Sequence, residues 1–215
     1  MAAKPNTLTP EEQSQGFRLL FDGTSLDAFR GYQKQEVPDA WQVVDGTIML
    51  TKGGAGDIIT REKFRDFELR FEFMISVDGN SGVMWRVTEE GAHPYDSGPE
   101  YQILDSHATT GYPHERQKGN IAGALYDLVP AKPDVFHGPD QWNEGTITIQ
   151  GTTILLTLNG QVTVQVDTAT REWQDLLGHS KFADWKLFNR SETGHIALQD
   201  HNDIVAFRSL RVREL

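Results

Sequence analysis

Between residues 67 and 76 the chain alternates without a break. Phe67, Leu69, Phe71, Phe73 and Ile75 interleave with Glu68, Arg70, Glu72, Met74 and Ser76. A strand sends successive side chains to opposite faces, so this segment buries one face and solvates the other. A helix would scatter the five apolar residues around its circumference. The same period of two recurs elsewhere. Residues 41–50 read as a hairpin turning at Asp45-Gly46, and residues 146–167 as a three-stranded meander turning at Gly151 and at Asn159-Gly160. The last strand, 205–214, changes phase between Phe207 and Leu210, which predicts a β-bulge. Helical signals are few. Thr9-Pro10-Glu11-Glu12 reads as a capping box with proline at the first helical position, and residues 172–177 allow a second short helix. Many antiparallel strands joined by tight turns specify an all-β sandwich or barrel.

No repeat or Pro/Gly/Ser-rich linker divides the 215 residues. The expected organisation is an N-terminal extension with a short helix over 1–16 and a single β-sandwich domain over 17–215. The chain has no cysteine, hence no disulfide, thiolate metal site or cysteine nucleophile. Its net charge of −11, from 20 basic and 31 acidic residues, disfavours nucleic acid as a partner, because that binding rests on neutralising phosphates. No apolar run approaches the about 20 residues of a membrane span, and no signal peptide is visible at the start. The oligomeric state is not legible.

Two stretches interrupt the short-turn pattern, 88–99 and 106–143. The second carries His107, Tyr112, His114, Tyr126, His137 and Trp142, contact-making residues that predict a structured rim around a site. Three short strands share a further property. By parity, Val83, Trp85 and Val87 face the core, while Met84, Arg86 and Thr88 face away from it. Tyr101 and Ile103 oppose Glu100 and Gln102. Ile196 and Leu198 oppose His195, Gln199 and His201. If the three strands share a sheet, their polar faces form one basin of long donors and acceptors suited to polyhydroxylated ligands. No His-Glu-x-x-His pattern occurs, so no metal ligands are assigned; a divalent cation enters only as one possible partner for a reacting oxygen. The glycine-rich Gly53-Gly54-Ala55-Gly56 lacks a phosphate-loop lysine and reads as a loop.

Several segments in order resemble a known family. They begin with Phe17-Arg18-Leu19-Leu20-Phe21-Asp22-Gly23-Thr24-Ser25-Leu26, Asp66-Phe67-Glu68-Leu69 and Asn80-Ser81-Gly82-Val83-Met84-Trp85-Arg86. Glu100-Tyr101-Gln102-Ile103-Leu104-Asp105, Gln141-Trp142-Asn143 and Leu158-Asn159-Gly160 follow. The series closes on Gly194-His195-Ile196-Ala197-Leu198-Gln199-Asp200-His201 and Phe207-Arg208-Ser209-Leu210. Together they resemble the 3-keto-disaccharide hydrolase domain, formerly a domain of unknown function. The resemblance implies a concanavalin A-like jelly-roll sandwich of two antiparallel sheets with one concave polar face. It also implies a bacterial enzyme that cleaves 3-keto-glycosides, and export to the periplasm or cell surface. Relatives commonly carry Gly after the His of the Leu-Gln-x-His segment; here Asn202 stands there, a residue that also adopts positive φ.

A ketone at C3 acidifies the C2 proton and leaves the C1 substituent poised for elimination, with water adding afterwards. That route needs a base, an acid and a donor for the C3 oxygen. Glu100, as the base, and His201, as the second acid/base, are the catalytic candidates. Arg86, Gln102, Asp105, His107, Trp142 and Gln199 are the substrate-binding candidates, with Arg86 as the stabiliser of the enolate oxygen. A small sugar or oligosaccharide is the expected partner. A conventional glycoside hydrolase and a non-catalytic lectin-like module remain as alternatives.

Overall fold

A computed structural model describes residues 4–215, and they form two antiparallel sheets packed face to face. The first sheet runs β11 (Gln161–Asp167), β10 (Thr153–Leu158), β9 (Asn143–Gln150), β6 (Phe67–Ile75), β13 (Val205–Glu214), β4 (Thr47–Leu50) and β3 (Trp41–Val44), with β1 (Arg18–Leu19) paired on the far end of β13. The second runs β2 (Phe29–Gly31), β5 (Ile58–Thr60), β12 (His195–Leu198), β7 (Asn80–Val87) and β8 (Glu100–Leu104). This is a jelly-roll sandwich. A short helix, α1 (Pro10–Ser14), precedes β1, and α2 (Pro113–Gln117), α3 (Arg171–His179) and a 3-10 turn at Pro94–Asp96 lie in the connections.

The alternation of 67–76 becomes β6, at the middle of the larger sheet. Its five apolar residues are fully buried between the sheets. Across the gap Phe71 meets Tyr101 of β8 edge to face, with ring centroids 5.3 Å apart, and Trp85 of β7 lies in the same cluster. The hairpin and the meander form at the expected turns, with Asp45 and Asn159 at positive φ. In β13 the pairing with β6 shifts between Arg208 and Arg211, and Ser209 takes a φ of 54°, which is the bulge signalled by the change of phase.

A second bulge escapes sequence parity. In β7, Val83 and Met84 pair with Leu198 and Ala197, whereas His195 pairs with Val87, so Ile196 alone opposes Trp85 and Arg86. Arg86 absorbs the extra residue with a φ of 54°. The bulge resets the alternation beyond it: Val87 joins Met84, Ile59 and Ala197 in a small cluster on the outer face, and Arg86 leaves that face. Gly194 makes the bulge possible, because a Cβ there would lie 2.3 Å from the Arg86 carbonyl carbon.

The N-terminal segment is fastened to the larger sheet. Thr9 and Glu12 form the capping box. Glu12 then pairs with Arg211 and, at 3.5 Å, with Arg70. Asn6 accepts the Ser209 N–H and donates to the Gly46 carbonyl.

Candidate active site

On the outer face of the five-stranded sheet, Glu100, Gln102, Gln199 and His201 line one cleft of about 300 Å³, together with Asn80, Tyr95, Tyr126, Lys181 and Phe182. Glu100 and Gln102 stand on β8 beside β7, while Gln199 and His201 follow β12 on the other side of β7. Gly82 of β7 lies between them and carries no side chain. A Cβ there would fall 2.0 Å from Glu100 Oε1, so the carboxyl occupies the space over a glycine.

Glu100 is buried without an arginine partner. Burial dominates its protonation and pushes the carboxyl up to about 8; the Lys181 charge and the Gln199 side chain oppose the shift, while Asp57 and Glu115 add to it. Glu100 therefore carries its proton at neutral pH. Gln102 is buried and donates to Asn80 Oδ1 at 2.6 Å. Gln199 is 7% exposed, and its Oε1 has no hydrogen-bond partner, an expensive state for a buried carbonyl and one that a ligand hydroxyl or the Glu100 proton would relieve. Lys181 places Nζ 4.1 Å from the centre of the Tyr126 ring. The residue is exposed overall, yet partial desolvation lowers its pKa against the pull of Glu100.

Loops hold His201 in place. The glycine-rich segment turns its Gly54, Ala55 and Gly56 N–H groups onto the Asp200 carboxylate, and Asp200 accepts the Asn202 N–H as well. Such a ring of backbone donors is an anion nest, here filled by the chain's own Asp200. Asn202 takes a φ of 72°.

Four candidates lie elsewhere. Because of the β7 bulge, Arg86 is turned away from Glu100. It donates to the Gly151 carbonyl at 2.8 Å and to Asn189 Oδ1 at 3.3 Å, inside a separate cavity of about 420 Å³. Trp142 immediately precedes β9 and so belongs to the larger sheet, where the Arg208 guanidinium covers its ring at 3.9 Å. His107 is exposed and rests edge-on against Phe136. Asp105 is buried beyond the cleft, and its two oxygens accept the N–H groups of Asp78 and His107, tying down the start of the long loop. His195, read by parity as polar-facing, bonds the Thr60 carbonyl through Nδ1 at 2.7 Å, away from the cleft.

Parity missed Lys181, Phe182, Tyr95, Tyr126 and Asn80. Tyr126 lies in the long loop expected to form a rim, and Tyr95 in the shorter one. Lys181 and Phe182 follow α3, and no spacing marks them. Among the described residues no three His, Asp or Glu side chains converge closely enough to hold a cation.

The model of the 3-keto-alpha-glucoside-1,2-lyase-like domain matches residues 16–213. The chain belongs to this family. A Bacteroides thetaiotaomicron protein named 3-keto-disaccharide hydrolase is 32% identical to this member of the 3-keto-alpha-glucoside-1,2-lyase-like family, over all of the chain and 83% of the relative. A Parabacteroides distasonis crystal structure, named provisionally as a glycosyl hydrolase, superposes with a TM-score of 0.89 at 26% identity, covering 99% of this chain and 100% of that one. A second Parabacteroides distasonis structure reaches 0.71 at 24% identity over 93% and 99% of the two chains, a likeness of fold.

Proposed function

We propose that the chain cleaves glycosides bearing a ketone at C3, with Glu100 and His201 as the proton-transfer pair. One observation carries this reading. Among the described residues the cleft is lined by a single carboxyl and a single imidazole. Ordinary glycoside hydrolysis sets two carboxyl groups across the scissile bond; here the next carboxyls, Asp57 and Asp200, lie in the adjoining cavity that shares Tyr95, Gln199 and His201, where backbone N–H groups already hold Asp200. A C3 ketone removes that requirement, and the names of the relatives point to the same substrates.

His201 takes the C2 proton, and the electrons of that bond form the enolate across C2, C3 and the C3 oxygen. Lys181, in the same cleft, offsets the charge on that oxygen, the part the sequence assigned to Arg86. The enolate electrons then expel the C1 substituent. Glu100, protonated at neutral pH, gives its proton to the departing oxygen. This reverses the sequence assignment of Glu100 as base, because burial favours its acid form. Water adds its oxygen at C1 and a proton returns to C2, so the net change is hydrolysis. Gln199 and Asn80 present polar groups to the sugar hydroxyls, and the Tyr95 and Phe182 rings present apolar surface.

A panel of 3-keto-disaccharides and their unmodified parents tests this. The 3-keto forms should be cleaved through a transient unsaturated ketosugar. Glu100→Gln should lower kcat by at least about 10²-fold and Lys181→Met by about tenfold. Equal cleavage of the unmodified sugars, full activity of Glu100→Gln, or sugar binding without turnover would each overturn the proposal.

A further inference from the structure

A base must present a bare ring nitrogen, and the two neutral tautomers of imidazole offer it on opposite sides. His201 Nδ1 lies 3.2 Å from the Tyr112 hydroxyl oxygen, with the two rings edge to face at 5.5 Å. The same hydroxyl lies 3.1 Å from Asp203 Oδ2. That carboxylate oxygen also accepts the Asn80 N–H at 2.9 Å.

The phenol has one proton to place between two neighbours. Asp203 can only accept, so the proton lies toward Asp203. The hydroxyl oxygen then accepts, and His201 Nδ1 must donate to it. Burial and the Asp203 charge push Tyr112 up to about 12, which keeps the phenol proton in place. Nε2 is left with its lone pair. His201 lines the cleft and Tyr112 does not, so the imidazole edge away from Tyr112 is the one available to a ligand.

We propose that Asp203 and Tyr112 are positioning residues that hold His201 in its Nδ1–H tautomer, with Nε2 as the acceptor of the C2 proton. The catalytic half of this inference rests on the function proposed above; the tautomer itself does not. Tyr112 comes from the long loop, at the N-terminal end of α2, and Asp203 from the turn into β13. The loop is held near by Thr110, which donates to Asp78 Oδ2, and by Asp105, which accepts the Asp78 N–H.

Nitrogen-15 NMR of histidine-labelled protein reads the tautomer without substrate. The wild type should show His201 protonated at Nδ1 and bare at Nε2. Tyr112→Phe removes the acceptor, and Asp203→Ala frees the phenol proton to turn toward Nδ1. Both should move His201 to the Nε2–H form and lower kcat on a 3-keto-disaccharide by about 10²-fold, with KM changed less than about twofold. Asp203→Asn is the rescue: the Asn80 N–H holds the amide oxygen at the Oδ2 position, so the wild-type tautomer is kept and kcat stays within about threefold of wild type. A wild-type Nε2–H tautomer, or a tautomer that flips while kcat is unchanged, overturns the inference. The stated tautomer in an enzyme inert toward every 3-keto-glycoside supports the fixed imidazole and overturns the substrate reading instead.

Discussion

Glu100 owes its proton to what surrounds it. It sits over the bare backbone of Gly82 with no arginine beside it, so solvent is withheld, and the Lys181 charge offsets the burial only in part. The sign of the consequence for stability follows directly. The folded state holds the proton up to about pH 8, the unfolded state only to about 4.5, so folding is favoured below the lower value and this contribution is lost as pH rises to the upper one. Glu100→Gln removes the titration. The stability of the variant relative to wild type should therefore rise between about pH 5 and 8 and level off above, read by urea unfolding across that range. A difference independent of pH would contradict a raised carboxyl. None of this was visible in the residue type. Parity identified the face that Glu100 occupies, whereas the glycine beneath it and the missing arginine are facts of three dimensions.

The elements show why some candidates met and others did not. In β8 the alternation runs unbroken, and Glu100 and Gln102 emerge where parity puts them. In β7 the bulge at Arg86 resets the phase, so the polar residue expected opposite the core is carried to another cavity. The β13 bulge announced itself through a break in the apolar pattern. The β7 bulge lies between residues that are apolar before and after it, leaving Gly194 in a different segment as its only trace. Arg86→Leu should separate the two placements. Loss of the bonds to Gly151 and Asn189 should cost about 1–3 kcal/mol of stability, seen as a lower Tm, while kcat per folded molecule stays within about twofold. A large drop in kcat at full stability would return Arg86 to the active site. Trp142 went astray for a related reason: the long loop starts at the smaller sheet and ends at the larger one, and a sequence does not say at which residue it crosses.

At the scale of the molecule, the sandwich was legible because strands, turns and the change to short helices all appear as local patterns. The assembly of the cleft was not, since it joins β8, the turn after β12 and a lysine beyond α3. The N-terminal segment belongs to this level too. Glu12 is 7% exposed and holds Arg211 and Arg70, so it links residues near the start of the chain to β13 and β6. Glu12→Ala should lower stability by about 2 kcal/mol, or Tm by roughly 4–8 °C for a chain of this size. An unchanged Tm would show that the segment is only laid against the sheet.

The cleft divides its residues between two kinds of scaffold. Glu100 and Gln102 stand on a strand, and Gln199 directly follows one, with the sheet's interior face locked in the core. Tyr95, Tyr126, Lys181 and Phe182, which shape the walls, come from connections. Connections tolerate insertion and exchange; paired strands do not. Descendants of this fold can therefore redraw the three loops that wall the cleft while inheriting its strand-borne Glu100 and Gln102 unchanged.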